Sequence, residues 1–449
     1  MESMVVLVFR HIFALKFNYK IITIFMNRIL KIALAALLLP VMAFGQTAKE
    51  EVFNDLNKAG GVYYAYPVTT VKQTETPKGY EPFYISHYGR HGSRYLIADN
   101  DYLWVLQLMR RAKEAGALTS QGLDALGRVE KVWLEAEGRG GDLSPLGVRQ
   151  HRGIAERMFN TFPEVFEGQV DISARSTIVM RCAMSMDAFC ERLKELNPEL
   201  NITREASNRY MRYMNYHSPE SNAFNAPDGP WQEEYRKFEV AHTHGDRLVG
   251  TLFSDSLWVV RNVDPHKLMW GFYWLAVGMQ DIETQVSFFD LFEPQELFDL
   301  YQCFNYRFYV GDSNYPGSHG MLLDNAKPLL RNVVESADAA IASGKTGATL
   351  RFGHDGNLIP FAGLLGLENC YNSVENPAEF YKHFVSYEIS PMAGNVQIIF
   401  FRNKKNHDDI IVKFMLNERE ISIPRLATDM FPFYRWNDVR SYFMQIIAQ

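Results

Sequence analysis

Two arginines and two histidines lie close together in a glycine-containing stretch at residues 84–94. The run at 83–86 indicates the end of a buried strand, and the charged residues follow at once. Glycine permits the sharp backbone excursion that brings main-chain N–H groups near an anion. Arg90 and Arg94 supply forked donors that match phosphate oxygens, and His91 between them has a ring nitrogen suited to attack phosphorus. The stretch predicts a phosphate-binding nucleophile loop, although by itself it fits a basic turn at a sheet edge equally well.

Further along the chain, charged residues follow two other predicted strands. Residues 170–173 predict one strand, and a helix that starts at Arg181 comes after it. Residues 348–352 predict another strand, which leads directly into His354 and Asp355. An arginine in the first turn of a helix opposes the helix macrodipole, so Arg181 suggests an anion shared by the guanidinium and the helix amides. A solvated surface arginine explains that single feature as well.

A clear helix start follows the loop at residues 143–151. Ser144 is a good N-cap, and Pro145 suits the first helical turn. Residues then recur at helical spacing on one face, namely His151, Ile154, Ala155, Met158 and Phe162. The pattern predicts a capped amphipathic helix with a buried histidine.

The order of these elements resembles that of the histidine acid phosphatases, branch 2 of the histidine phosphatases, which include phytases and the multiple inositol-polyphosphate phosphatases. The matching elements are the loop at 90–94, the helix start at 143–151, Arg181, the pair His354-Asp355, and the segments 391–396 and 417–420. The resemblance covers roughly residues 55 to 430. A lone Arg-His-Gly is a weak motif, whereas several such elements in one order are specific.

The resemblance implies a role for each matching residue. His91 is expected to be the nucleophile that forms a phosphohistidine, and Asp355 the acid that protonates the leaving alkoxide. The phosphoryl oxygens are expected to contact Arg90, Arg94, Arg181 and His354. Phosphoryl transfer depends mainly on positioning and charge stabilisation, so three guanidiniums supply what a metal supplies elsewhere. We therefore expect no metal and no cofactor.

The resemblance also implies an α/β fold of the histidine-phosphatase type, with a mixed, mainly parallel sheet flanked by helices and a largely helical inserted domain. Residues 46–196 and 346–449 are expected to form the α/β catalytic domain. Between them, in 197–345, aromatic residues become dense and helical patterning dominates. This region is predicted to be a mostly helical insertion that shapes the substrate pocket.

The amino terminus has the pattern of an export signal. Residues 26–45 combine a basic start, a short apolar stretch and small residues before a cleavage point at Gln46. The apolar run is shorter than the roughly 20 residues of a comfortable membrane span, so no stable membrane insertion is expected after cleavage. Residues 1–25 are interpreted as a mis-annotated leader, with Met26 rather than Met1 as the true start. A periplasmic or secreted protein is predicted.

Composition narrows the possible partners. The formal charge of −6 over 449 residues argues against a general nucleic-acid binder. The four cysteines lack the spacing of a structural zinc site. Cys182 and Cys190 share one predicted helix and are too far apart to bridge, while pairing with Cys303 or Cys370 stays open. The sequence His242-Thr243-His244 has no third ligand nearby, so a metal is not favoured there.

The leading interpretation is a metal-independent phosphomonoesterase whose small-molecule substrate is phytate or another inositol polyphosphate. The alternatives are a broad acid phosphatase acting on sugar phosphates and a non-catalytic phosphate-binding protein. The sequence at 354–357, His-Asp-Gly-Asn, departs from the His-Ala-Glu type of the inositol-polyphosphate branch and is nearer to bacterial phytases. Four basic residues of the insertion are candidates for the pocket rim or for ordinary surface charge: Arg209, Arg212, Arg236 and Lys237.

Overall fold

The computed structural model describes residues 47–68 and 72–449, so the predictions for 1–45 lie outside the described residues. Residues Glu51–Gln449 form one compact unit. Its centre is an eight-stranded sheet of order β3-β2-β4-β1-β5-β6-β7, with β8 paired to β6. The strands are β1 (Tyr80–Arg90), β2 (Asp171–Ser176), β3 (Asn201–Ala206), β4 (Gly347–Gly353), β5 (Asn395–Asn403), β6 (Ile410–Leu416), β7 (Arg419–Glu420) and β8 (Phe433–Arg435).

The sheet is mixed, and its two halves differ in direction. Strands β3, β2, β4 and β1 pair in parallel. The pairing becomes antiparallel at β5 and stays so through β6, β7 and β8. The predicted mixed sheet with parallel core strands and flanking helices is confirmed. The apolar runs at 396–401 and 410–416, joined by a polar turn, also predict a hairpin from the sequence, and β5 and β6 form it.

The helices, in chain order, are α1 (Ala48–Asn54), α2 (Asn100–Glu114), α3 (Ser120–Ala136), α4 (Pro145–Thr161), α5 (Met180–Leu196), α6 (Asn208–Met214), α7 (Pro219–Phe224), α8 (Gln232–His242), α9 (Asp246–Leu252), α10 (Ser256–Asn262), α11 (Pro265–Gly278), α12 (Pro294–Asp312), α13 (Met321–Asp324), α14 (Lys327–Ser343), α15 (Asp355–Leu365), α16 (Phe380–His383), α17 (Ser386–Ile389) and α18 (Trp436–Ala448). Short 3-10 helices include Leu56–Tyr63, Pro163–Phe166 and Met279–Asp281.

Local sequence explains why α4 starts where it does. The Ser144 hydroxyl accepts a hydrogen bond from the Gly147 amide, and Pro145 occupies the first helical position, as predicted. His151 is buried on the inner face of this helix. A capped start of this kind satisfies amides that would otherwise lack partners, typically stabilising the helix by about 1 kcal/mol.

The stretch predicted as an insertion consists of helices from α6 to α14, but it begins with a strand. β3 pairs in parallel with β2 and extends the main sheet past the predicted boundary at residue 196. Within the helical part, α11 and α12 carry apolar and aromatic side chains on most of their surface and are buried accordingly. The division into two domains stays a prediction.

Three smaller expectations concern cysteines, metal and membrane. All four cysteines are buried and free. This answers the question of disulfide pairing that the sequence left open, because none of them is in a disulfide: Cys182, Cys190, Cys303 and Cys370. The His242 ring lies 2.8 Å from the Phe238 carbonyl oxygen. Across 47–68 and 72–449, no group of three or more potential ligand side chains is arranged to hold a metal ion. No helix within these residues is long and apolar enough to cross a bilayer.

Candidate active site

The predicted site residues are positioned at the carboxyl ends of three adjacent parallel strands. β1 leads into the nucleophile loop, β2 leads towards Arg181, and β4 leads into His354 and Asp355. Backbone hydrogen bonds join these ends: the His91 amide donates to Gly353, and the Thr177 amide donates to Phe352. Since parallel strands end at one edge of a sheet, residues far apart in sequence meet there.

The start of α4 holds one side of the nucleophile loop. The Ser93 amide donates to Gln150 Oε1 at 2.8 Å, and the Ser144 hydroxyl donates to the Ser93 carbonyl at 3.0 Å. A Cβ on Gly92 would lie 2.6 Å from the Gly147 Cα, and one on Gly147 would lie 2.3 Å from the Ser93 oxygen. The loop and helix therefore approach more closely than side chains permit, which explains both glycines. The sequence predicted this helix but not its contact with the loop.

The segment before β5 holds the other side of the loop. The Arg90 amide donates to the Gly394 carbonyl at 2.8 Å, and the Ala393 amide donates to the His91 carbonyl at 2.8 Å. Ala393 has φ 57, a left-handed conformation that costs energy for a residue with a Cβ. These bonds give the segment 391–396 a positional role: it fixes the main chain on both sides of the His91 ring.

The tautomer of the His91 ring follows from the contact of the ring with the Gly92 carbonyl. Nδ1 lies 2.9 Å from the Gly92 carbonyl oxygen, which accepts a hydrogen bond only if Nδ1 carries the proton. Nε2 is then left with its lone pair. Burial, followed by the charges of Arg90, Arg94 and Arg181, lowers the pKa of His91 well below its ordinary value. The ring is therefore neutral and nucleophilic in mild acid.

Arg90 is placed differently from the other arginines. It is completely buried and does not line the cavity. Its Nη1 donates to the carbonyls of Val62 and Ser390, and its Nη2 lies 2.8 Å from the Asp355 carboxylate. Burial raises the pKa of Asp355, but the nearby Arg90 charge leads the effects that lower it, and the pKa is lowered overall. Arg90 thus lies behind Asp355 and keeps it ionised in the free site.

Arg94 and Arg181 line the cavity itself. Nη1 of Arg94 donates to the Tyr95 carbonyl at 2.8 Å, and its guanidinium lies 4.6 Å from the centroid of the Tyr63 ring. Arg181 is the second residue of α5, as the sequence indicated. Burial, and then the charge of Arg94, lowers the pKa of Arg181. No described carboxylate pairs with either guanidinium, and the buried Nε of each lacks a partner there. An anion between them would supply those partners.

His354 completes the group of predicted residues. Its Nε2 lies 3.2 Å from the Thr177 hydroxyl, and its ring centroid lies 5.8 Å from that of His91. The Cys182 thiol packs beside it, with its sulfur 3.6 Å from Nε2. Burial lowers the pKa of His354 to about 4 despite the nearby Asp355 charge, so the imidazole is neutral near pH 7. We call His91, Arg94, Arg181, His354 and Asp355 the phosphate end of the cavity.

The cavity has a volume of about 540 Å³. Besides the phosphate end, it is lined by helices α8, α11 and α12 and by the chain before α8. We call this side the helical wall. Its members are Asn225, Trp231, Gln232, Trp274, Phe304, Arg307, Phe308, Gly311 and Asp312. Tyr63 joins the two sides, because its ring contacts Arg94 and lies 5.6 Å from that of Trp274. Tyr63 therefore borders the site.

None of the four basic candidates of the insertion lines this cavity. Arg209 is exposed, and Arg212 borders a separate cavity beside α14. Arg236 and Lys237 pair with Glu233 on the exposed face of α8. The cation that does reach the cavity from the helical wall is Arg307, which sequence analysis missed. Its only sequence signal is one basic residue within an otherwise aromatic helix face.

Buried polar residues also lie beneath the loop; His151 was predicted to be buried, whereas Asp281 was missed. The Ser93 hydroxyl donates to Asp281 at 2.6 Å, and Gln150 Nε2 donates to the Ser93 oxygen at 2.8 Å. Burial raises the pKa of Asp281 to about 7. Two buried histidines, His87 and His151, contact the ring of Phe352 below. These residues support the loop from below and do not reach the cavity.

Comparison with known proteins identifies the fold. The chain is similar to the multiple inositol polyphosphate phosphatase of Bifidobacterium longum in complex with inositol hexasulfate, with TM-score 0.72 and 18% identity over 86% of this chain and 97% of that one. The phosphate complex of the same protein gives TM-score 0.65 and 19% identity over the same shares. The D. castellii phytase gives TM-score 0.64 and 15% identity over 88% of this chain and 85% of that one.

No protein-family model matches the chain. A comparison with curated protein sequences also finds no match. At these identities the structural likeness defines the fold, which is that of the inositol-polyphosphate phosphatases and phytases, as the sequence resemblance implied. The chemistry of the site has to be argued from its own residues.

Proposed function

We propose that this protein is a phosphomonoesterase that works through a phosphohistidine on His91, needs no metal, and hydrolyses inositol phosphates. The observation that carries the proposal is the state of His91: a neutral ring whose Nδ1 is engaged by Gly92, so that Nε2 is the free nucleophile. Arg94 and Arg181 line the same cavity with unpaired buried nitrogens. A pure phosphate binder needs the arginines but has no use for such a nucleophile.

The first chemical step forms one bond and breaks another. The Nε2 lone pair attacks phosphorus, and the bond between phosphorus and the ester oxygen breaks in line. Arg94 and Arg181 stabilise the charge on the equatorial oxygens, and His354 lies within reach as a further donor. The leaving oxygen takes a proton from Asp355. In the second step water attacks the phosphohistidine, Asp355 accepts its proton, and the bond to Nε2 breaks to release phosphate.

The ion pair between Arg90 and Asp355 determines when the Asp355 carboxyl is protonated and can act as the acid. In the free site Arg90 lowers the pKa of Asp355, so this carboxyl is ionised and cannot donate. A bound phosphate dianion offsets the arginine charges and adds negative charge beside the carboxylate, which raises its pKa. Substrate therefore turns Asp355 into an acid, while Arg90 stays behind it with its bonds to the Val62 and Ser390 carbonyls. We expect an acidic pH optimum for this reason.

The likeness to the Bifidobacterium longum phosphatase and the D. castellii phytase supports the choice of substrate class. The proposal includes the export signal predicted at 26–45. The enzyme is then periplasmic or secreted, and its mature chain starts at Gln46. Residues 1–25 are the mis-annotated leader. Amino-terminal sequencing of the exported protein tests that part, since a mature terminus upstream of Met26 contradicts it.

The test of the activity is phosphate release from phytate, glucose 6-phosphate and p-nitrophenyl phosphate between about pH 3 and about pH 8 with EDTA present. We expect turnover in EDTA, and its complete loss in His91→Ala. His407→Ala, in the exposed connection between β5 and β6, is the matched control and is expected to retain activity. Loss of activity in EDTA would overturn the metal-free mechanism, and turnover by folded His91→Ala would overturn the nucleophile.

A further inference from the structure

Ser93, next to Arg94 in the nucleophile loop, is held by directed hydrogen bonds. Gln150 binds its amide and its hydroxyl, and its hydroxyl also contacts Asp281 at 2.6 Å. The directions of these bonds are fixed, because a main-chain N–H can only donate. The Ser93 amide donates to Gln150 Oε1, so Gln150 Nε2 has to donate to the Ser93 oxygen. The Ser93 hydroxyl proton is then left for Asp281, which accepts it.

The position of Arg94 depends on its main chain and on the surface beneath its guanidinium. Its buried Nε has no partner among the described residues. Its Nη1 donates to the Tyr95 carbonyl at 2.8 Å, and its guanidinium lies 4.6 Å from the centroid of the Tyr63 ring. A side chain that binds a ligand is placed accurately only when packing and supporting hydrogen bonds fix it. Ser93 and Tyr63 provide this support for Arg94.

One short turn contacts both supports. The 3-10 helix Met279–Asp281 follows α11 directly, and Asp281 is its last residue. The neighbouring residue, Gln280, accepts from the Ala65 amide at 3.0 Å and donates to the Asn57 carbonyl at 2.9 Å. Residues 57–65 carry Tyr63 between these two bonds. Two consecutive side chains of one turn therefore reach the main chain beside Arg94 and the segment that carries its aromatic contact.

The packing around this turn is tight on both sides. A Cβ on Gly60 would lie 3.0 Å from Gln280 Nε2, and one on Gly278 would lie 3.0 Å from a methyl group of Leu96. The Tyr273 hydroxyl, on α11, donates to the Ala59 carbonyl at 2.7 Å. The end of α11 therefore has little freedom to shift relative to the loop or to residues 57–65.

Asp281 acts here as a hydrogen-bond acceptor. It is buried and does not line the cavity, and no described residue forms an ion pair with it. Burial raises its pKa to about 7, against the lowering effect of Arg94 and Arg90. In mild acid the carboxyl is therefore neutral, and its carbonyl oxygen still accepts the Ser93 proton. Its contribution is then the bond to Ser93 and not a counter-charge for the arginines.

We infer that, within the phosphomonoesterase activity proposed above, Asp281 and Gln280 are positioning residues for Arg94. Asp281 fixes the main chain of the arginine through Ser93, and Gln280 fixes the segment whose aromatic ring the guanidinium contacts. The helical stretch between β3 and β4 thereby helps to place the phosphate, although neither side chain lines the cavity. The inference rests on the proposed function for the role of Arg94 in turnover.

A double-mutant cycle on p-nitrophenyl phosphate hydrolysis tests the inference. Asp281→Ala is expected to lower kcat/KM by about tenfold or more, because a small displacement of a catalytic group is costly. Arg94→Gln is expected to lower it by about 10²–10³. The double variant should be no worse than Arg94→Gln, since Asp281 acts through that arginine. Losses that multiply in the double variant overturn the inference.

Asp264→Ala is the matched control, because it removes a carboxylate from the other end of the same helix. Asp264 is exposed and accepts from the Lys267 amide at 3.1 Å, which caps the start of α11. Its loss should lower the thermal stability of the protein and leave kcat/KM unchanged. Equal losses of kcat/KM in Asp264→Ala and Asp281→Ala would overturn the inference, because the stability of α11 would then account for both.

Two further variants isolate the bond between Ser93 and Asp281. Asp281→Asn keeps an oxygen acceptor and should retain kcat/KM to within about threefold. Ser93→Ala removes the donor without altering the turn, and it should lose activity as Asp281→Ala does. Equal losses in Asp281→Asn and Asp281→Ala, or full activity in Ser93→Ala, contradict a role through this bond.

Titration with inorganic phosphate separates the inference from the proposed function. Calorimetry on the same variants is expected to show binding weakened about tenfold or more by Asp281→Ala, and no further weakening when Arg94→Gln is already present. If the wild-type protein fails to hydrolyse p-nitrophenyl phosphate, the proposed function is wrong, and this titration still decides the inference. Unchanged phosphate affinity in Asp281→Ala overturns the inference alone.

Discussion

The phosphate end and the helical wall differ in the charge of their polar groups and in the partners that these groups have. At the phosphate end, the buried Nε atoms of Arg94 and Arg181 have no partner among the described residues, and backbone hydrogen bonds fix the loop that carries His91. Along the helical wall, Asn225 and Gln232 each donate one amide N–H to a main-chain carbonyl, and four of the nine residues are aromatic. Cations are therefore concentrated on one side of the cavity, and aromatic rings on the other.

This difference matters because the two sides come from different parts of the fold. The phosphate end lies on strand ends, whose positions are set by the parallel sheet. The helical wall lies on α8, α11 and α12 and on the chain before α8, all of which belong to the stretch between β3 and β4. Such a division lets the chemistry stay fixed while the leaving group is selected elsewhere.

The largest expected effect is on kcat and comes from replacing Asp355 at the phosphate end. The same replacement of Asp312 on the helical wall is the comparison. Asp355→Asn removes the acid, so kcat for a poor leaving group such as glucose 6-phosphate should fall by about 10²–10⁴. For p-nitrophenyl phosphate the fall should be much smaller, because that leaving group needs no proton. Asp312→Asn is the matched variant on the helical wall, and its main effect should be on KM.

Steady-state kinetics on both substrates checks this pair. Equal losses for the two leaving groups in Asp355→Asn would contradict its role as acid. A leaving-group-dependent fall in kcat for Asp312→Asn would show that the helical wall takes part in the chemistry, which would break the comparison.

The next largest effect is the loss of kcat/KM expected when Arg181 at the phosphate end is replaced, with Arg307 on the helical wall as the comparison. Arg181→Gln removes a donor to the transferring phosphoryl group, and kcat/KM should fall by about 10²–10³ for every substrate, p-nitrophenyl phosphate included. Arg307→Gln removes an exposed cation of the wall, and a change of about fivefold or less is expected, because exposed ionic contacts contribute at most about 1 kcal/mol. Similar losses in the two variants would mean that the scissile phosphate lies nearer the wall than proposed.

The smallest effect concerns stability beneath the phosphate end. Burial lowers the pKa of His87 and of His151 to about 3, so both are neutral in the folded protein. The unfolded chain binds these protons below about pH 6.5, so the stability from each neutral ring is full above that pH. It is lost as the pH falls, by about 1.4 kcal/mol per pH unit per histidine, down to the folded pKa.

Urea unfolding at several pH values tests this expectation. His151→Phe should flatten the dependence of the unfolding free energy on pH below about pH 6.5 by the contribution of one histidine. His407→Phe, at an exposed position, should leave it unchanged. An unaltered slope in His151→Phe would mean that this ring is not held neutral.

The sequence by itself determined the phosphate end, because its signals are local. Arg90, His91 and Arg94 are neighbours in one loop, and the Ser144 cap depends only on adjacent residues. Arg181, His354 and Asp355 each follow a strand that could be predicted, and parallel strands must end together. The hairpin of β5 and β6 has a local signal as well, whereas the mixed sheet was expected from the family resemblance.

Tertiary structure alone decided the rest. Which face of an aromatic helix meets a cavity depends on packing against other elements, so the sequence analysis singled out neither Arg307 nor Asp312, and four surface cations were better candidates by type. The contact of Gly92 with Gly147 joins segments more than fifty residues apart. The free state of every cysteine and the pairing of Arg90 with Asp355 also depend on long-range distances. Local chemistry is enough to predict a phosphate site, but the surface that the packed helices form on the other side of the cavity depends on tertiary structure.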